Sequence, residues 1–250
     1  MKQLFITVLS LCATTSSFST IINDTNKVDA NGKKIGLWKE RVFKTDFYGN
    51  YINEKKEGVW VGYYSNGIIS DISEYKNDKR NGLRVQIDQN GHYTNKDSYT
   101  NDTIDGLSLE YGTGTTLQRK INYKMGKIDG IKNLYYTDGR IQEEANYKNN
   151  VRDGITKWYS GEGYLSVEYV YKNGLLEGLQ KTFYKNGNIN SEVNDINNLE
   201  EGDYHEYFEN GKMKIVGKYI HGKKEGAWKE YDENEKVIKT EMYKNGELKK

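Results

Sequence analysis

The sequence predicts an all-β fold, an elongated antiparallel meander sheet of about nine tandem 24-residue β-hairpin repeats preceded by a signal peptide. Three observations lead to this prediction. One glycine recurs every 24 residues, two turn signals fall inside each period, and an apolar segment opens the chain. A period of this length is typical of stacked repeats, in which each unit buries its apolar side chains only against its neighbours.

The repeat is defined by a glycine column, whose members are called the repeat glycines below. Each follows the previous one by 24 residues, and they are Gly58, Gly82, Gly106, Gly130, Gly154, Gly178, Gly202 and Gly226. A tyrosine column stands seven residues before most of them, with members Tyr75, Tyr99, Tyr123, Tyr147, Tyr171 and Tyr219. Because both columns keep one register, we interpret them as structural, with the tyrosine rings forming a ladder that holds successive hairpins together.

Two turn signals divide each period into two strands of about seven to nine residues. An Asn-Gly or Asp-Gly pair such as Asn66-Gly67 predicts a type I′ turn, in which both central residues have positive φ. The second signal lies just before the repeat glycine, as at Gly126 before Gly130. Between the turns, apolar and polar residues alternate, for example over Leu165–Tyr171, so one face of each strand is expected to be buried.

Composition limits the size of the hydrophobic core. Hydrophobic residues make up 35% of the chain, the mean hydropathy is −0.91, and 22 residues are tyrosines with a polar hydroxyl. The aromatic content of 13% is nevertheless higher than disordered chains contain. We therefore expect folding around a thin, tyrosine-rich layer. The absence of proline agrees with a long sheet, because the strand ladder uses every backbone N–H.

Charges and motifs argue against several functional classes. Lysine and arginine number 37 against 36 acidic residues, so the basic excess of a nucleic-acid-binding protein is missing. The three histidines fall in different repeat columns, so we expect no metal site, and no motif indicates a cofactor or an enzyme. The acidic residues before the repeat glycines, such as Asp129 and Glu177, are interpreted as turn residues.

The N-terminus reads as a targeting segment. Lys2 precedes an apolar run over Leu4–Ala13, which predicts a signal peptide at residues 1–19 with cleavage near Ser19 or Thr20. Residues 20–30 are then a linker and residues 31–250 the repeat array. We expect the protein to be exported to the periplasm, the outer envelope or the medium. A lipoprotein anchor on Cys12, the one cysteine of the chain, is less favoured because Leu11 stands where a small residue is expected.

The combined pattern Y-x-x-G-x-x-x-G-x-x-x-x-[YF]-x-x-x-G-x-[IL] resembles MORN repeats, specifically the variant form found in bacterial proteins. The copy from Tyr171 through Gly178 and Phe183 to Ile189 shows it most clearly. The resemblance implies extended antiparallel sheets and contacts with proteins or membrane lipids. It also implies no catalytic residues, and some bacterial members of the family are labelled as antitoxin components.

These features lead to one functional hypothesis and two alternatives. The leading hypothesis is an exported, non-catalytic scaffold that binds another protein or stays close to a membrane surface. The alternatives are an antitoxin-like component that neutralises a partner protein, and a carbohydrate-binding or cell-wall-binding protein that uses aromatic side chains. Trp38, Trp60 and Trp228 share one column and are predicted to be caps or contact residues. No feature of the sequence indicates an oligomeric state.

Three positions depart from the pattern, and the first is Gly114, which sits one place early in a loop with Gly112. Asp195 replaces the column tyrosine and Glu235 replaces the glycine of an Asn-Gly turn. Such departures are explained either by drift in a repeat array or, near Gly112 to Thr116 or Asp195 to Leu199, by a bend or a contact with a partner.

Overall fold

The computed structural model describes residues 25–249. The predicted signal peptide, Cys12 and the start of the linker lie outside this range, so export stays a prediction. Within it the chain forms 21 β-strands and one short 3₁₀ segment at Thr113–Thr115, with no α-helix, and this confirms the all-β prediction. In the same range no helix is long and apolar enough to cross a membrane.

The described chain forms two compact units, residues 25–94 with 98–103 and residues 95–97 with 104–249. The first unit contains β1 (Lys27–Val28), β2 (Lys34–Val42), β3 (Thr45–Ile52), β4 (Lys55–Tyr63), β5 (Ile69–Lys76) and β6 (Lys79–Ile87). Strand β7 (Tyr93–Thr100) contributes residues to both units.

The second unit contains the remaining strands, apart from the first residue of β8. They are β8 (Thr103–Tyr111), β9 (Leu117–Lys124), β10 (Lys127–Tyr135), β11 (Ile141–Lys148), β12 (Val151–Tyr159), β13 (Leu165–Lys172), β14 (Leu175–Leu176), β15 (Gly178–Phe183), β16 (Ile189–Ile196), β17 (Leu199–Tyr207), β18 (Met213–Ile220), β19 (Lys223–Tyr231), β20 (Val237–Lys244) and β21 (Glu247–Lys249).

Consecutive strands pair antiparallel within each unit, which confirms the predicted meander. In the first unit the pairs run from β1 with β2 to β5 with β6. In the second they run from β8 with β9 to β20 with β21. Strands β14 and β15 are two segments that both pair with β13.

The turns just before the repeat glycines are the type I′ turns of the structure. Asn149 and Asn150, which join β11 to β12, have φ values of 50° and 71°. Met125 and Gly126, which join β9 to β10, have φ values of 48° and 80°. Two adjacent residues with positive φ define this turn type, and its twist matches that of the strands it joins. Asparagine, which tolerates positive φ better than most residues, is accordingly frequent here.

The Asn-Gly turns occur where the sequence predicts them, but the predicted type I′ geometry is wrong there. At the first one only Gly67 has a positive φ, 83°, while Asn66 does not. The N–H of Gly67 donates to the carbonyl of Tyr64 at 2.9 Å. This is a type I turn followed by one left-handed residue, the common three-residue hairpin loop. Asn66 is favoured because its Oδ1 accepts a hydrogen bond from the N–H of Ile68 at 3.1 Å.

Seven of the eight repeat glycines lie in a β-bulge opposite the preceding strand. Gly130 has a φ of 108°, and the pairing of β10 with β9 passes from Ile128 opposite Tyr123 to Lys132 opposite Ile121. Over this stretch β10 therefore contains two more residues than β9. Glycine adopts such a φ without the steric cost of a Cβ. All eight repeat glycines have positive φ, which explains why this residue type keeps the 24-residue period.

We call the face of each unit that carries the tyrosine column the aromatic face. Large and small side chains alternate along the aromatic face of the second unit. Trp228 is 6% exposed and lies beside Gly217, where an added Cβ would be 2.2 Å from the indole ring. At the equivalent position three repeats earlier, Ala145 is fully buried opposite Thr156. Gly217 therefore provides the space that the indole fills.

We predict that Gly217→Ala lowers the free energy of unfolding by about 1–3 kcal/mol, the typical cost of overpacking. The matched control is Gly161→Ala, because a Cβ there meets nothing within 4 Å and no positive φ adds strain. The double variant Gly217→Ala with Trp228→Thr recreates the pair of Ala145 and Thr156. In the Trp228→Thr background, Gly217→Ala should lower the free energy of unfolding much less than it does in the wild-type chain. Chemical denaturation followed by circular dichroism measures these four chains and Trp228→Thr alone, and equal costs at positions 217 and 161 would contradict the packing argument.

Candidate binding faces of the repeats

In the first unit, cations and aromatic rings alternate on the aromatic face. The Nζ of Lys56 lies 4.0 Å from the ring centroid of Trp60 and 5.5 Å from that of Tyr75. The ring of Tyr51 meets Trp60 edge-on at 5.3 Å. The indole of Trp60 has room on this face because Gly49 beside it has no side chain. A Cβ added at Gly49 would be 2.2 Å from the indole. Cation–π and edge-to-face contacts therefore join successive hairpins here.

Glu40 is the centre of the polar contacts on this face. Its carboxylate accepts a hydrogen bond from the Tyr51 hydroxyl at 2.7 Å and ion-pairs with Lys56 at 2.9 Å and with Lys34 at 3.2 Å. Burial opposes ionisation of this carboxyl, but the bonds from Lys56, Tyr51 and Lys34 outweigh it and lower the pKa of Glu40 to about 2. One carboxylate thus holds two lysines between the aromatic rings.

The second unit repeats this arrangement around Trp228. The Nζ of Lys224 lies 4.0 Å from its ring centroid and 5.2 Å from that of Tyr243. Tyr204 stacks on the indole at 5.3 Å, and Tyr219 meets it edge-on at 5.1 Å. Lys56 and Lys224 both stand two residues before a repeat glycine, so the same column supplies the cation in each unit.

The rings of the tyrosine column are bridged by other side chains between successive repeats. The guanidinium carbon of Arg152 lies 5.9 Å from the ring centroid of Tyr147 and 5.5 Å from that of Tyr171. Arg152 also ion-pairs with the largely buried Glu143. Burial raises the pKa of Tyr171. The tyrosines thus hold neighbouring hairpins together through an intervening cation or indole.

The three tryptophans proposed as contact residues differ in exposure. Trp60 is 1% exposed and Trp228 is 6% exposed, so both indoles are covered by their own face. Trp38 is partly exposed, and its Nε1 donates to the carbonyls of Lys27 and Ile35, both at 3.1 Å. The structure therefore places two of these residues in the interior of the aromatic face.

The acidic residues before the repeat glycines bind the turn of the following repeat. Asp153 accepts a hydrogen bond from the backbone N–H of Asn173 at 3.1 Å, and Glu225 accepts one from that of Asn245 at 2.7 Å. The residues in this role are Glu57, Asp105, Asp129, Asp153, Glu177, Glu201 and Glu225. Carboxylates are strong acceptors for backbone N–H groups at turns, which explains why an acid recurs in this column.

The turns of neighbouring repeats also bond through their backbones. In the second unit, the N–H of Gly174 donates to the carbonyl of Arg152 at 2.8 Å. On the opposite edge, the hydroxyl of Tyr136 donates to the carbonyl of Tyr159 at 2.8 Å. Both edges therefore carry bonds between residues 22 or 23 apart.

An exposed aliphatic column lies on the other face of the second unit. It consists of the residue after each of four consecutive repeat glycines, namely Leu107, Ile131, Ile155 and Leu179, which are 38%, 42%, 43% and 42% exposed. Ile131 precedes Lys132, whose ammonium lies 5.6 Å from the ring of Tyr147, so Ile131 points away from the aromatic face. We call this set the aliphatic column. In the first unit Val59 and Leu83 occupy the same repeat position and are similarly exposed.

None of the site residues predicted from the sequence belongs to the aliphatic column, although the sequence contains a signal for it. The residue after the repeat glycine is aliphatic in six consecutive copies, from Val59 to Leu179. In an amphipathic strand, a position that is regularly aliphatic is expected to be buried in the core. Only the bulge at the glycine shows that this position is exposed.

No group of three histidine, cysteine, aspartate or glutamate side chains that could hold a metal ion occurs in residues 25–249. The fold and its recurring contacts define the class, a tandem β-hairpin repeat protein.

The model of the MORN repeat variant matches the chain at residues 56–77, 128–149, 176–194 and 224–245. Each match begins two residues before a repeat glycine, so the family pattern and the structural period share one register. The four matched segments are MORN repeats of the variant form. No curated protein matches the chain.

We predict that Glu40→Gln lowers the free energy of unfolding at pH 7 by about 1–3 kcal/mol, because it leaves Lys34 and Lys56 without their counter-ion. The folded-state pKa of Glu40 lies below its ordinary value of 4.5, so its charge stabilises the fold above that pH. The difference between wild type and variant should therefore shrink as the pH falls from 4.5 towards 2. Denaturant titrations at several pH values, followed by tryptophan fluorescence, measure it. Glu54→Gln is the control, since Glu54 is exposed and its ion pair with Lys33 spans 4.0 Å. A difference that stays constant down to pH 2 would contradict the assigned role.

Proposed function

We propose that the chain is an exported, non-catalytic repeat scaffold that binds another protein through the face carrying the aliphatic column. The observation that supports this proposal is the regular exposure of Leu107, Ile131, Ile155 and Leu179 on one face of the second unit. Strands of a sheet lie about 4.8 Å apart, so residues at equivalent positions of successive hairpins are about 10 Å apart. Aligned aliphatic side chains that remain exposed are typical of interaction surfaces.

The energy available from this column fits a protein contact. Burying a fully exposed valine, leucine or isoleucine stabilises by about 1.5–3 kcal/mol. Each of the four side chains is about two fifths as exposed as a fully accessible one. Covering all four with a partner therefore contributes about 3–5 kcal/mol to the binding free energy. This is a useful part of a binding energy but needs polar contacts beside it, since association itself is costly.

The polar residues beside the column favour a protein partner over a membrane surface. Lys157 and Glu168 form an ion pair at 3.5 Å on this face, and Asn133 donates to Glu144 at 3.4 Å. An anionic membrane selects clusters of lysine and arginine without compensating acids. The mixed charges here resemble the polar rim of a protein interface. A sugar-binding role receives no comparable support, because the indoles of Trp60 and Trp228 are covered.

We predict that the double variant Ile131→Asp with Ile155→Asp abolishes partner binding and leaves the fold intact. Asp203 naturally occupies the same column, so the sheet accepts aspartate there. Val151→Asp is the matched control, because Val151 is also 42% exposed but lies outside the column. Pull-downs from envelope extracts with residues 20–250 of each chain should recover one specific protein with wild type and control. Its yield should drop at least tenfold with the double variant, while circular dichroism stays unchanged. Equal recovery by all three chains, or no recovery at any salt concentration, would count against the proposal.

We further predict that the natural product is exported and processed. Cell fractionation followed by intact-mass measurement should find a chain that begins near Thr20 outside the cytoplasm. The antitoxin-like alternative needs a cytoplasmic protein for an intracellular toxin. A full-length product confined to the cytoplasm would therefore overturn export and favour that alternative.

A further inference from the structure

One repeat of the second unit carries two carboxylates where the others carry a tyrosine and often a cation. Asp195 occupies the tyrosine column, and its Cα partner across the strands is Glu200. The equivalent partners are Tyr147 with Arg152 and, in the next repeat, Tyr219 with Lys224. A favourable pair is thus replaced by two like charges directly opposite each other, which destabilises a sheet.

The family match ends at the same place. Three of the matched segments run through the column tyrosine to the second residue after it, as at residues 224–245. The segment at residues 176–194 stops immediately before Asp195. Both the structure and the repeat pattern therefore single out this position.

The negative charge of the pair is not compensated within the described chain. Asp195 is 5% exposed, and its Oδ1 is buried without a hydrogen-bond partner. Neither carboxylate forms an ion pair with a lysine, arginine or histidine of residues 25–249. Burial and, secondly, the charge of Glu200 raise the pKa of Asp195, and the same two causes raise the pKa of Tyr219. A buried carboxylate left in this state is costly unless a cation or a proton joins it.

The other repeats show which cation belongs at this place. Two residues before the repeat glycine, where Glu200 stands, the next repeat has Lys224, whose ammonium lies 4.0 Å from the ring of Trp228. The residue that corresponds to Trp228 in the repeat of Glu200 is Tyr204, and its ring lies 5.8 Å from that of Tyr219. The repeat therefore keeps the two rings that border an ammonium group in the next repeat, while a carboxylate stands in the place of the lysine.

We propose that Asp195, Glu200 and the rings of Tyr204 and Tyr219 form a binding site for an alkylammonium group. The two carboxylates supply the counter-charge, and the tyrosine rings supply cation–π contacts. A divalent metal ion is disfavoured, because such an ion prefers more oxygen ligands than this pair and metal-binding groups of three are absent from the described residues. The ammonium belongs either to a lysine side chain of a protein or to a free diamine. The site lies on the aromatic face, so it does not depend on the aliphatic column.

Isothermal titration calorimetry of the whole chain at low salt tests this site. The probes are 1,4-diaminobutane, a trilysine peptide and calcium chloride. We expect saturable binding of one amine per chain, weakened at least tenfold by Asp195→Asn and by Glu200→Gln. Glu209→Gln, an exposed carboxylate at a turn of the same unit, is the control and should bind as wild type does. Tighter binding of the peptide identifies a protein lysine as the source of the ammonium, and tighter binding of the diamine identifies a free amine.

A second measurement keeps the proposal falsifiable if a variant folds poorly. Glu200→Lys supplies the cation that Lys224 provides in the next repeat, so without any amine it should raise the melting temperature and abolish amine binding. Three results would overturn the proposal. They are no saturable amine binding by wild type, tighter binding of calcium than of either amine, and equal binding by wild type, Asp195→Asn and Glu209→Gln. If the wild-type chain becomes more stable on acidification from pH 7 to 5 but binds neither amine, then a proton, and not an ammonium group, neutralises Asp195 and Glu200.

Discussion

Each hairpin of this protein is held by its neighbouring hairpins, because within each unit no second layer formed by residues 25–249 covers either face of the sheet. The interaction on which the structure depends is therefore the bond between equivalent places of successive repeats. Acidic side chains bind the turn that follows 20 residues later, as Asp153 does for Asn173. Cations such as Arg152 lie between rings that are 24 residues apart. Stability built in this way is distributed along the chain and is a sum of nearest-neighbour terms.

The bulge at the repeat glycine gives the two faces different properties. On one face it leaves room for a cation beside aromatic rings, as with Lys224 and Trp228. On the other it exposes the next residue, such as Ile131, whose carbonyl accepts a hydrogen bond from the amide of Asn122 at 2.9 Å. One backbone feature thus produces an aromatic face on which cations lie between rings and an aliphatic face with unburied side chains. The first stabilises the array, and the second is available for a partner.

The sequence predicts the architecture of this protein well because glycine, asparagine and acidic residues mark backbone geometry directly. The period, the hairpins and both turn positions follow from them. The turn types do not, since Met125 adopts positive φ in a type I′ turn while Asn66 of an Asn-Gly pair does not. The aliphatic column also escapes prediction, because alternation alone cannot show that a bulge turns Ile131 towards solvent. Asp195 is recognisable as a departure from the pattern, but its opposition to Glu200 appears only in the strand register.

The acidic column also has a consequence for how such a chain changes length during evolution. Seven copies bring a carboxylate that accepts from the turn of the next copy, as Glu225 does for Asn245, and in the copy of Gly82 the acceptor is Asn81. Duplication or loss of a whole copy in frame therefore leaves each new junction chemically identical to the old ones. An insertion within a strand would instead separate a carboxylate from its turn and shift the two strands out of step. Gene variants of this array should accordingly differ by multiples of one period.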